Sequence, residues 1–123
     1  MIKILVVDDE MDVCDFVKNF FEERNFQVYT ALSGAEALRI FRREKPDITL
    51  LDIRMKGMDG IEALKKIKGI DKDAKIIMVT AVEDQAKMDT AYELGACKYI
   101  TKPLVLEELE STVMQYTKEN KNV

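Results

Sequence analysis

The sequence contains no histidine. Its 123 residues therefore supply no imidazole base, no Ser-His or Cys-His nucleophile and none of the usual zinc sites. Cysteine is scarce as well. Cys14 and Cys97 lie far apart among apolar or small residues, match neither a metal-ligand spacing nor a redox pair, and read as buried thiols. No apolar run exceeds a few residues, so nothing is expected to span a bilayer. A net charge of −4 without a basic cluster or interleaved aromatics leaves no footprint for direct nucleic-acid binding. Internal repeats, low-complexity tracts and Pro/Gly/Ser-rich linkers are also missing. Chemistry in this chain must run on carboxylates, lysines and hydroxyls.

What is present fits one globular domain over residues 1–123, with a polar tail from about residue 118. The apolar fraction of 47% and the charged fraction of 34% are those of a soluble folded protein. The opening Met-Ile-Lys-Ile-Leu-Val-Val-Asp-Asp puts two carboxylates straight after a short apolar stretch, unlike a secretory signal, and the expected location is the cytoplasm.

Short β-branched runs alternate five times with longer amphipathic stretches, the pattern of a parallel sheet with helices on both faces. Ile4 to Val7 begins it, followed by a helix with Val13, Phe16, Val17 and Phe20 inward and an end near Asn25. A strand from about Gln27 to Ala31 precedes a helix capped by Ser33, with Glu36 as capping-box partner, Ala37, Leu38 and Phe41 inward, and Pro46 closing it. Ile48 to Leu51 delivers Asp52; Gly57 and Gly60 then mark a flexible turn before a helix with Ile61, Leu64 and Ile67 inward. Ile76 to Val79 delivers Thr80. The next helix, roughly Glu83 to Leu94, has a thin stripe of Ala86, Ala91 and Leu94 and stops at Gly95. Its Met88 and Tyr92 read equally well as exposed contacts and as local packing. A last strand around Tyr99 to Thr101 leads to Lys102-Pro103 and a helix with Leu106, Leu109, Val113 and Tyr116 on one face.

In an open parallel sheet, ligands bind outside the carboxyl ends of the strands. Asp8 and Asp9, Asp52, Thr80 and Lys102 all stand just beyond apolar runs, so they should converge there. Each alone has a plainer explanation: a strand-end Asp forms turns, a lysine is a solvated charge, a threonine is a strand residue, and Tyr99 is a core aromatic. Together they are more specific. Carboxylates near 4 Å apart repel by about 4 kcal/mol per pair at an effective dielectric near 20, so a cation belongs among Asp8, Asp9 and Asp52. Oxygen-only ligands with room for water and phosphate suit Mg²⁺, with Mn²⁺ as a substitute. A carboxylate beside such a metal can attack phosphorus, Lys102 can neutralise phosphoryl charge, and the Thr80 hydroxyl can donate to a phosphoryl oxygen.

At this point the sequence resembles the response-regulator receiver family over nearly its whole length. The matching segments are Ile4-Leu5-Val6-Val7-Asp8-Asp9-Glu10, Asp52-Ile53-Arg54-Met55 with Gly57-Met58-Asp59-Gly60, Val79-Thr80-Ala81, Gly95-Ala96, and Tyr99-Ile100-Thr101-Lys102-Pro103. The resemblance implies an α/β flavodoxin-like fold with strand order 2-1-3-4-5 and five helices. It implies a signalling domain rather than an enzyme with a separate substrate, with Asp52 phosphorylated by a sensor histidine kinase, a phosphotransfer protein or a small phosphodonor. Mg²⁺ would be bound by Asp9, Asp52 and the Arg54 main-chain carbonyl, with Asp8 acting through water; the Ala81 amide would meet the phosphoryl group. Thr80 and Tyr99 would relay the state to the face of the fourth helix, fifth strand and fifth helix, where dimerisation or docking to a downstream effector or linked output domain would occur. The Lys102-Pro103 bond would be cis. Lys56 stands where the family usually has Pro. Arg54 and Val82 occupy positions that tune dephosphorylation and imply a phosphorylated state that is not unusually short-lived.

Two other classes compete. A haloacid-dehalogenase-type phosphohydrolase also uses a strand-end Asp and Mg²⁺, but its first motif is Asp-x-Asp and here only Asp8-x-Glu10 is present. An interaction module with this fold and no chemistry would not need Asp9, Asp52, Thr80 and Lys102 together.

Overall fold

The β-branched runs form the strands and the amphipathic stretches the helices. The computed structural model describes residues 1–118, and the expected polar tail beyond them lies outside the described residues. The elements are β1 (Lys3–Val7), α1 (Met11–Glu22), β2 (Gln27–Ala31), α2 (Gly34–Glu44), β3 (Ile48–Leu51), α3 (Gly60–Ile70), β4 (Ile76–Thr80), α4 (Gln85–Glu93), β5 (Lys98–Thr101) and α5 (Leu106–Lys118). The strands pair in the order β2-β1-β3-β4-β5, all parallel, as a flavodoxin-like sheet requires.

Alternation along the strands supplies two cores. Ile4 and Val6 of β1 face one side with Leu50, Ile77, Val79, Phe21, Leu109 and Val113. Leu5 and Val7 face the other with Leu51, Met78, Leu38, Phe41, Leu64 and Ile67. Each fully buried Leu, Ile or Phe contributes about 1.5–3 kcal/mol, so both faces of β1 and β3 are held. This burial on two sides is why these strands are near-continuously apolar.

The helix ends are built by short polar side chains. Ser33 Oγ accepts from Glu36 N at 3.2 Å, while Glu36 Oε1 accepts from Leu32 N at 2.9 Å, one residue earlier than the standard capping box. Asp59 caps α3 by accepting from Glu62 N at 2.9 Å. Asp84 caps α4 by accepting from the amides of Ala86 and Lys87, so the helix starts at Gln85 rather than near Glu83.

Three packing expectations need correction. Phe16 is 59% exposed, and α1 instead buries Cys14, Val17 and Phe21. Val17 is buried as expected and Val13 and Phe20 pack partly buried against the same core, so the stripe is shifted toward Cys14 and Phe21, where Phe21 stacks edge-to-face on Phe26 at 5.2 Å. Ala86 is exposed at the start of α4, leaving Ala91 as that helix's buried residue. Cys14 is buried as expected, but Cys97 is only half-buried, since it precedes the edge strand β5.

One core polar group stands out. Thr49, in the central strand, is fully buried, and among the described residues its Oγ1 has no hydrogen-bond partner. Thr49→Val removes that unsatisfied hydroxyl with little change of shape and is expected to stabilise the protein by about 1 kcal/mol. Thermal unfolding would then shift upward by a few degrees; a downward shift would mean that the hydroxyl is bonded.

Candidate functional site

The polar residues singled out from the strand ends do converge. Asp8 follows β1, Asp52 follows β3, Thr80 ends β4 and Lys102 follows β5. Parallel register makes this inevitable: Val7 pairs with Leu51 and Thr80 with Thr101, so the next residues reach the same edge. Asp8 and Asp52 are 3% and 6% exposed, deep enough that their charges need compensation, whereas Asp9 is exposed at the rim.

Lys102 provides that compensation. Its Nζ donates to Asp8 Oδ2 at 2.7 Å and to Asp52 Oδ2 at 2.9 Å. The other oxygens meet backbone amides: Asp8 Oδ1 accepts from Glu10 N at 2.9 Å, and Asp52 Oδ1 from Arg54 N at 3.2 Å. The Lys102 backbone is fixed too, its N donating to Thr80 O at 2.8 Å, and the Lys102-Pro103 bond is cis.

The two carboxylates differ electrostatically. Burial pushes the Asp8 carboxyl above its ordinary range, and the bonds from Lys102 and Glu10 only partly offset this. Burial acts on Asp52 in the same sense, but the Thr80 hydroxyl, Lys102 and the Arg54 amide together hold it below the ordinary range. For Lys102 desolvation is outweighed by its two carboxylate partners, which raise its pKa. Asp52 is thus an ionised carboxylate at neutral pH.

Above these groups lies an open cleft of about 950 Å³, lined by Asp9, Asp52, Arg54, Ala81, Val82 and Lys102 among others. Arg54 and Ala81 are exposed on its walls and Val82 is buried beneath. Thr80 is fully buried, and its Oγ1 accepts from Val82 N at 3.3 Å. Tyr99 is buried as well, its hydroxyl donating to Val82 O at 2.6 Å.

Two residues gain importance that the sequence did not give them. Glu10 appeared only as part of a motif, yet its carboxylate joins those of Asp8 and Asp9, with ligand oxygens all within 4.8 Å of one another. Adjacency in sequence was the available signal. Asp52 lies outside that trio and connects to it through Lys102. Gly60, read as part of a flexible turn, is instead the first residue of α3, packed on the backbone of Asp52 and Ile53, with its N donating to Ile53 O at 2.8 Å. A close approach of this kind has no local sequence signal beyond the glycine itself.

Comparison with known proteins agrees with this geometry. Residues 4–114 match the family model described as the response regulator receiver domain. The chain is 37% identical over 114 residues to sporulation initiation phosphotransferase F of Bacillus subtilis (strain 168), covering 93% of this chain and 92% of that one. A CheY-like receiver domain protein from Methanospirillum hungatei JF-1 superposes with a TM-score of 0.96 at 28% identity, covering 99% of this chain and 98% of that one. The CheY of a CheX-CheY-BeF3-Mg²⁺ complex from Borrelia burgdorferi is also similar, with a TM-score of 0.88 at 32% identity over 93% of this chain and 87% of that one. Fold, strand-end constellation and these matches agree, and the chain belongs to the response regulator receiver domain family of two-component signalling.

Proposed function

We propose that this receiver domain is a phosphoacceptor switch in which Asp52 is the nucleophile. The observation that carries the reading is Lys102 Nζ held between Asp52 and Asp8 beneath an open cleft, a cation fixed where phosphoryl charge would arrive. An Asp52 carboxylate oxygen attacks phosphorus and forms the O–P bond. The bond to the donor breaks with its electron pair, leaving on the imidazole nitrogen of a kinase or phosphotransfer-protein histidine, or on the carboxylate of a small acyl phosphate. Lys102 then neutralises phosphoryl oxygens, and the Thr80 hydroxyl and Ala81 amide donate to them. With this reading goes the cytoplasmic location expected from the sequence; among the described residues no helix is long and apolar enough to cross a membrane.

The residues fit a hard divalent cation. The donors are all oxygen, and the buried Asp8 carboxylate is under-compensated by Lys102 alone. Asp9, Asp52 and the Arg54 main-chain carbonyl would hold Mg²⁺ or Mn²⁺, with Asp8 acting through water and Glu10 adding charge at the rim. The bound ion would neutralise the carboxylates and draw phosphoryl oxygens into the cleft. The Borrelia relative in complex with BeF3 and Mg²⁺ supports the same reading for this chain. Adding Mg²⁺ with beryllofluoride should shift the amide resonances of Thr80, Ala81 and Val82; unchanged spectra would favour a module that works by its surface alone.

Asp8 offers a second test, with a worked sign. A carboxylate whose folded pKa is raised opposes folding above that pKa, and the penalty is relieved as pH falls through it toward the ordinary value. Asp8→Asn should therefore stabilise the metal-free protein at neutral pH, raising Tm by a few degrees, and the gain should vanish at acid pH. With saturating Mg²⁺ the wild type should regain the advantage, because ligand binding stabilises the state that binds it. Melting curves with and without the metal check both signs.

The relay follows from the same contacts. The Thr80 hydroxyl bonds Asp52, and the inward Tyr99 is bonded to Val82 O. Its exchange with an outward state would remodel the face of α4, β5 and α5, to which an effector, an output domain or a second copy would dock.

A further inference from the structure

α4 is the helix least secured by apolar contact. Ala91 is its buried residue, and Met88 and the capping Leu94 are only partly buried against the core. A helix of nine residues cannot persist on its own, so it needs other anchors. Tyr92 supplies one. Its ring is exposed, but its hydroxyl accepts from the backbone N of Tyr99 at 3.0 Å. β5 is an edge strand, and this outward amide would otherwise face solvent.

Tyr99 is therefore gripped twice. Its backbone is tied to α4 through Tyr92, and its side chain is tied through Val82 O to the segment that follows Thr80. Val82 N in turn donates to Thr80 Oγ1. The hydrogen-bonded sequence runs Thr80, Val82, Tyr99, Tyr92, from the phosphoacceptor pocket to an exposed helix. On the α5 side, Tyr116 donates to Cys97 O at 3.1 Å. The two tyrosines act on different groups of the same edge, and only Tyr92 belongs to α4.

We propose that the Tyr92 hydroxyl is a latch that fixes α4 to the backbone of Tyr99 and so carries the state of Thr80 and Tyr99 to the α4 surface. The proposal rests on the phosphoacceptor reading for what sets that state, while the latch itself is present without it. A movement of β5 that accompanies a change in the Tyr99 ring shifts the Tyr99 amide, and Tyr92 moves with its acceptor. With little burial to resist, the helix follows.

Tyr92→Phe keeps the ring and removes the hydroxyl. Amide exchange within 85–93 is expected to accelerate on the order of five-fold, what one ordinary hydrogen bond confers, while α3 and β4 keep wild-type rates. With Mg²⁺ and beryllofluoride, Thr80 and Val82 should still respond in the variant, and the α4 amides should respond less than in the wild type. Tyr116→Phe, the comparison variant, should leave α4 exchange unchanged. Wild-type α4 exchange in Tyr92→Phe, or equal acceleration in Tyr116→Phe, overturns the latch. A wild type whose Thr80 ignores beryllofluoride counts against the phosphoacceptor reading instead, and the exchange comparison still decides on the latch.

Discussion

Asp52→Asn is expected to lower covalent phosphoryl labelling by on the order of a thousand-fold or more, because an amide oxygen is not a usable nucleophile and no second carboxylate shares its position. Asp8 is the nearest rival, but its oxygens are engaged by Lys102 and the Glu10 amide and its pKa is raised. The fold should survive. Asn can still accept from Arg54 N, and Lys102 keeps Asp8 as a partner. Some stability should nonetheless be lost at neutral pH, since a carboxylate with a depressed folded pKa stabilises the native state above its unfolded value. That loss should shrink as pH falls through the folded pKa. Asp8→Asn moves metal-free stability in the opposite direction, so the pair separates the two carboxylates by sign. Circular dichroism beside labelling with a small acyl phosphate measures both quantities.

The second large effect lies at a residue with no side chain. A Cβ added to Gly60 would fall inside the contact distance of the Asp52 carbonyl and Ile53 Cα, which are backbone atoms that cannot rotate away. Gly60→Ala is expected to cost roughly 3 kcal/mol or more, and Tm should fall by about 10 °C or more. Labelling of the folded fraction should slow as well, because the displaced backbone is that of the nucleophile. Gly57→Ala makes the useful contrast. Its φ of +77° is unfavourable for alanine, but no atom lies near the added methyl, so about 1 kcal/mol is expected. Chemical denaturation of both variants measures the difference, and equal costs would contradict the packing argument.

These two sites differ in how legible they were. Asp52 could be read from sequence because a β-branched run fixes the strand, the strand fixes its carboxyl end, and parallel register brings four such ends together. Ser33 was readable as a cap for the same reason, as a local rule acting on local atoms. Gly60 was not, since its constraint comes from a segment on the far side of a loop. Phe16 and Phe21 show a similar limit: both suit an amphipathic helix, and the tertiary contacts of Phe21, the Phe26 ring among them, select it for the core. The Lys102 bridge depends on side-chain reach across the sheet, so the sequence suggested a phosphate ligand and the structure adds a partner for two carboxylates. Tyr92 was balanced between exposure and packing. It turns out to have an exposed ring and a bonded hydroxyl, a combination that periodicity cannot express.

The competing phosphohydrolase reading makes the stoichiometry of phosphoryl transfer decisive. The protein should be incubated with Mg²⁺ and acetyl phosphate, and the phosphoryl groups per chain counted by intact mass with the site located by peptide mapping. The account predicts labelling that stops at one acid-stable, hydroxylamine-labile phosphoryl on Asp52, and none when the metal is chelated. Continuous release of phosphate from generic phosphate esters, a label on any other residue, or no label at all would contradict it.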